Sequence, residues 1–161
     1  MIDPSETDAA LVALLQGDAP LKVLLPGGIW WDIAPQNETA FGIVSLIPPE
    51  RAIEVFGGRV GEDTLYLVKA VVRRHGPNDD ANVAAAAARI DALLDEGTMA
   101  LTSGAVVVAM YRDETDGRIH YTEVDDFDRS IRWQHRGGRY RVQVSHDPVG
   151  LTPPATQEQR P

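Results

Sequence analysis

Cysteine is absent from this 161-residue chain, which excludes disulfides, thiolate metal sites and a cysteine nucleophile. No apolar run approaches the roughly 18–20 residues that a membrane-spanning helix needs, so no membrane partner is expected. Bases are scarce as well: 15 Lys and Arg stand against 24 Asp and Glu, a formal net charge of −9. That balance disfavours a nucleic-acid binder, which usually presents a basic domain to a polyanion. The first residues, MIDPSETDAALVALLQGD, lack the basic-then-apolar order of a secretion signal. A protein of the cytosol, or one assembled there, is the expectation.

Catalytic patterns are missing too. The four histidines, His75, His120, His135 and His146, show no HxxxH or HxH spacing, so no metal site is predicted. GxSxG, Walker A and GxGxxG motifs do not occur, and the Gly-Gly pairs read as turn glycines. Asp113, Glu114 and Asp116 fall on a predicted hairpin loop, where carboxylates are ordinarily solvated. Nothing near them in sequence suggests the pocket that would raise a general acid's pKa. The expectation is therefore no catalytic residue, no cofactor and no enzyme.

What is present suits one domain with a real core, since 43% of residues are apolar. Asp3-Pro4-Ser5-Glu6 predicts a helix start, with Leu11, Leu14 and Leu15 as its apolar face. Asp18-Ala19-Pro20 restarts a short turn or helix that Pro26-Gly27-Gly28 stops. FGIVSLI (41–47) predicts a strand interrupted by Pro48-Pro49, and 51–56 and 64–74 two more. Residues 64–74 are apolar on both faces, as in a central strand. Asn78-Asp79-Asp80 should cap an alanine-rich helix with the face Val83, Ala87, Ile90 and Leu94, ended by Gly97. Its small side chains would let it lie close against a sheet.

Residues 105–112 and 118–124 predict a hairpin across Asp116-Gly117. RWQHRGGRYRVQV (132–144) predicts a second hairpin, across Gly137-Gly138. That pairing would place Ile131, Trp133, His135, Tyr140, Val142 and Val144 on one face. Arg132, Gln134, Arg136, Arg139, Arg141 and Gln143 would take the other. The whole reads as an α+β single domain over residues 1–147, two helices on a mainly antiparallel sheet with long hairpins. A flexible proline-rich tail, 148–161, would follow.

Charge is strongly sorted along the chain. Residues 113–128 hold seven acids and one arginine, and residues 129–145 then hold five arginines and no acid. Arginines beside Trp133 and Tyr140 could in principle contact phosphate and stack bases, but the predicted register turns both rings away from the arginines. Association is the alternative, because a basic ribbon and an acidic loop on one chain are two unlike, complementary patches. Repeated head to tail, such patches form a heterologous contact that can close into a ring. Arg132, Arg136, Arg139, Arg141 and Arg59, with Asp113, Glu114 and Asp116, are the candidate interface residues. Their partners lie either within the subunit or on a neighbour.

The order of these features resembles the tail-completion or tail-terminator proteins of long-tailed bacteriophages and gene transfer agents. The N-terminal leucine helix carries the resemblance, followed by GGIWWDIAPQNETAFGIVSLI (27–47) and VFGGR (55–59) before a long strand. AAAAARIDALLDEG (84–97) and the terminal WQHRGGRYRVQV (133–144) complete it, over roughly residues 8–145. The resemblance implies a structural virion protein of the tail or neck, assembled in the host cytoplasm, with another head–tail connector or neck component as the alternative role. Copies would form a homo-oligomeric, hexameric ring at the head-proximal end of the tail tube and stop its growth. The implied partners are the tail tube protein on one side and the head–tail connector or stopper on the other. DNA would pass through the lumen without specific binding.

Overall fold

The computed structural model describes residues 4–55, 58–76, 78–115 and 117–146, with backbone alone for 4, 5, 49–55, 58 and 59. The expected Asp3 cap, the Asp116 turn and the 148–161 tail lie outside the described residues.

Helix α1 spans Pro4–Gly17 and a short α2 spans Ala19–Leu24. Asp18 caps α2 by accepting a 2.8 Å hydrogen bond from the Leu21 amide. The sheet contains β1 (Ile29–Trp31), β2 (Ala40–Val55), β3 (Gly58–Arg73), β4 (Val106–Arg112), β5 (Ile119–Val124) and β6 (Arg132–Ser145). Helix α3, Asp79–Leu94, connects β3 to β4. Strand order is β1-β2-β3-β6-β4, and β5 also pairs with β6. Only β1–β2 is parallel, so the expected α+β class with a mainly antiparallel sheet is observed.

Alternation along the strands sorts side chains onto two faces. Val44 of β2, Tyr66, Val68, Ala70 and Val72 of β3, and Tyr140, Val142 and Val144 of β6 share the core with Leu11, Leu15, Leu21, Val83, Ile90 and Leu94 of the helices. All three helices therefore cover one face. The buried stripe of α3 runs through Val83, Ala86, Ile90 and Leu94, so Ala86 takes the core position expected of Ala87. At the start of α3, Asn78 makes no side-chain cap. The Asp79 carboxylate instead accepts from the His75 and Gly76 amides at 2.6 and 2.7 Å.

Three expectations are corrected. Pro48-Pro49 does not end β2, which continues to Val55 through a register shift between Ile47 and Arg51. The missing amides of the prolines are absorbed by an irregularity in the ladder rather than by a break. Residues 106–112 and 119–124 do not pair with each other. Both lie antiparallel to β6, β4 against its C-terminal half and β5 against its N-terminal half, so they follow one another along a single edge.

The third correction concerns Gly137-Gly138, which is not a turn. Strand β6 runs unbroken through both glycines, and neither has positive φ. A Cβ on Gly137 would stand 2.1 Å from the Val68 carbonyl oxygen and 2.6 Å from Lys69 Cα. Glycine is required there by the close approach of β3, not by turn geometry.

Candidate assembly surfaces

An unbroken β6 divides the arginines between the two faces. Arg139 and Arg141 fall on the face without helices, opposite Leu67 and Leu65 in register, whereas Arg136 falls on the helix side opposite Ala70. The expected arginine-rich face with all aromatics behind it is thus overturned. Trp133 and His135 lie on the open face, and Tyr140, five residues past His135, lies under the helices.

Arg141 is held within the subunit. Its Nη1 meets Asp63 at 3.1 and 3.2 Å, and its Nη2 donates to Asp113 Oδ2 at 2.9 Å. All three side chains are largely buried, at 21%, 17% and 12% exposure, so solvent screens them little. Asp113 is lowered to about 2, first by hydrogen bonds from Thr115 and then by the Arg141 guanidinium. Arg141 is shifted upward by the same contacts, led by Asp113.

Arg112, which the sequence did not single out, organises a second cluster. Its Nη1 donates to both oxygens of Asp91 at 2.8 Å, while Nε and Nη2 reach Glu114 Oε1 at 2.8 and 2.6 Å. The Tyr140 hydroxyl donates to Asp91 Oδ1 at 3.0 Å, tying β6 to α3. Burial, reinforced by the Asp91 charge, pushes the Tyr140 phenol upward, so it stays a neutral donor.

The remaining expected interface residues separate. Arg132 donates to the Arg129 and Ile131 carbonyls, bracing the 125–131 turn. Arg59 stands opposite Glu54 near the tip of the β2–β3 hairpin, and its side chain is outside the described residues. Asp116 is outside them too. The structure thus joins Arg141 with Asp113, gives Glu114 to Arg112, and leaves Arg136 lining a cleft beside α3.

Beside Arg139 and Arg141, the open face carries an aromatic cluster. Phe41 and Trp133 pack at 6.0 Å between centroids, and Tyr121 stacks on His135 at 4.4 Å with an interplanar angle of 7°. Lys69 Nζ donates to the Tyr121 hydroxyl at 3.0 Å. Glu123 Oε2 lies 3.1 Å from His135 Nε2, yet the contact is not aligned as a hydrogen bond and the carboxylate is mostly exposed. Burial therefore dominates, and with Lys69 nearby it lowers His135 to about 4, so the ring is neutral at neutral pH.

Asp125 shapes the β5–β6 turn by accepting from the Phe127 and Asp128 amides at 2.9 and 3.1 Å and from Trp133 Nε1 at 3.2 Å. The turn holds Phe127 in solvent, at 102% exposure. A signal for it existed in the sequence: Asp125-Asp126-Phe127-Asp128 places one large apolar ring among three acids. Among the described residues no group of three metal-ligating side chains occurs, and no helix is long and apolar enough to cross a membrane.

In fold, the chain is similar to one chain of a solved structure of the virion of a native gene transfer agent particle. The TM-score is 0.59 at 20% identity, over 88% of this chain and 96% of that chain. No protein-family model matches the sequence, and no curated protein matches it.

Proposed function

We propose that this chain is a structural virion protein that forms a ring, of six copies, at the head-proximal end of a phage-type tail tube. There it ends tube growth and joins the tail to the connector or stopper of the head. The observation that carries this reading is the fold similarity to a chain of a gene transfer agent virion, which spans nearly the whole of both chains. The surface supports it. A single domain with an uncovered aromatic sheet face, an acidic loop with an exposed phenylalanine and a cationic cleft has unlike patches for head-to-tail contact. The net charge of −9 suits a lumen through which DNA moves without sticking.

Immunogold labelling of purified particles from the producing cell tests the location. Label confined to the head–tail junction is the expected result. Label along the tail shaft or on the capsid shell would contradict it.

A further inference from the structure

Between α3 and the β5–β6 edge lies a cleft of about 280 Å³. Its floor is apolar, formed by Ala84, Ala87 and Ala88 of α3 with Ile119 of β5. An apolar cavity of roughly 150 Å³ is enough to take a benzene ring, so a phenyl side chain fits this volume. Three cationic or protonatable side chains, Arg118, His120 and Arg136, also line it. None of the three has a hydrogen bond or ion pair among the described residues. Asp91, at the far wall, is already engaged by Arg112 and Tyr140. The cleft is thus a small hydrophobic seat with an unneutralised positive margin.

The same chain carries the complementary shape. Phe127 projects into solvent from a turn stiffened by Asp125. Asp126 beside it is exposed and has no partner among the described residues. A preorganised turn loses little freedom on docking, and an aromatic anchor in a desolvated pocket is where interface energy concentrates.

We propose that Phe127 of one copy inserts into the alanine-floored cleft of the next, with Asp126 and Asp128 facing Arg118 and Arg136 of that neighbour. Knob and cleft are different patches of the chain, so the contact is heterologous and propagates from copy to copy. The inference rests on the ring reading and names the contact that would close the ring.

The absence of cysteine makes a direct test available. The double variant Asp126→Cys with Ala88→Cys, mildly oxidised, should give a ladder of covalent multimers. Either single variant should stay monomeric on a denaturing gel, because the contact brings position 126 to position 88 and neither to its own counterpart. Phe127→Ser should weaken self-association by tenfold or more while leaving the melting temperature of the dilute, unassociated protein unchanged, because the side chain is fully exposed in its own subunit. Arg136→Glu should do likewise. A 1:1 mixture of Phe127→Ser with Arg136→Glu should form dimers and no larger species, because only one complementary knob–cleft pair survives. Multimers that persist in Phe127→Ser, with no ladder in the double-cysteine variant, would overturn this contact and leave the ring standing. A parent protein that stays monomeric and never cross-links would overturn both.

Discussion

At the scale of single residues, the concentration of arginine was legible and its partners were not. Arg141 and Asp113 were both conspicuous in the sequence, but Asp63, 78 positions from Arg141, comes beside it only because β3 pairs with β6. Replacing Arg141 with Met would leave two largely buried carboxylates facing each other, at a cost of about 2–4 kcal/mol. Urea denaturation should show that loss, and a change below about 0.5 kcal/mol would show that the cluster is not structural. For the same reason, reversing the charge of Arg141 cannot separate assembly from folding, whereas Arg136 can.

His135 gives the fold an acid limb. Its folded value of about 4 lies below the ordinary 6.5, so between these pH values the unfolded chain binds more protons. Stability is fully present above pH 6.5 and declines toward pH 4, by up to about 3 kcal/mol. Asp113, lowered to about 2, contributes its own loss only further down, as pH falls through the range from about 4 to 2. His135→Phe keeps a ring against Tyr121 and removes the titration. Melting temperature followed from pH 7 to pH 4 should then fall less steeply than in the parent. An identical slope would mean that His135 does not set it.

At the scale of elements, the helices were legible because their signals are local. The leucines of α1, the Asp18 cap and the alanine-rich run of α3 each act within a few turns of chain. The sheet was misread where a local signal had two solutions. In 131–144 the apolar residues change phase at the glycines, from odd positions (Ile131, Trp133, His135) to even ones (Tyr140, Val142, Val144). A hairpin would bring both sets to one face. The chain instead stays extended, so Tyr140, Val142 and Val144 go under the helices while the odd set falls on the open face. There His135 is buried within the sheet surface and Ile131 and Trp133 are half-buried. Gly137→Ala should therefore cost more than about 2 kcal/mol by forcing β3 and β6 apart. Gly138→Ala, whose nearest contacts are side-chain atoms at 3.3 Å, should cost clearly less. Equal costs in thermal denaturation would favour a turn over a strand.

The same ambiguity hid the edge of the sheet. An Asp-Gly between two β runs is the strongest short-range hairpin signal, and here it joins two strands that lie end to end along β6. Placing β4 and β5 in line is what leaves Ile119 and His120 beside α3. The cleft is therefore a product of non-local pairing, and no spacing in the sequence could reveal it.

At the scale of the molecule, one face of the sheet is buried under three helices and the other is left aromatic and half-covered. Arg141 and Arg112 are neutralised by acids from other strands and from α3. The most exposed large hydrophobic side chain among the described residues, Phe127, stands on an acidic turn. These are the features on which the proposed subunit contacts rest. They were legible in outline, as alternating charge blocks, while the identity of the contacting groups depended on which arginines the fold had already neutralised.

The most direct measurement is the solution mass of the purified protein by native mass spectrometry, at low and moderate salt. A species of six subunits, about 105 kDa for a 17.5 kDa chain, is the expected result. Its partial dissociation at higher salt would reflect the Asp126–Arg136 contacts. A monomer at every concentration and salt would contradict a ring that closes through its own surfaces.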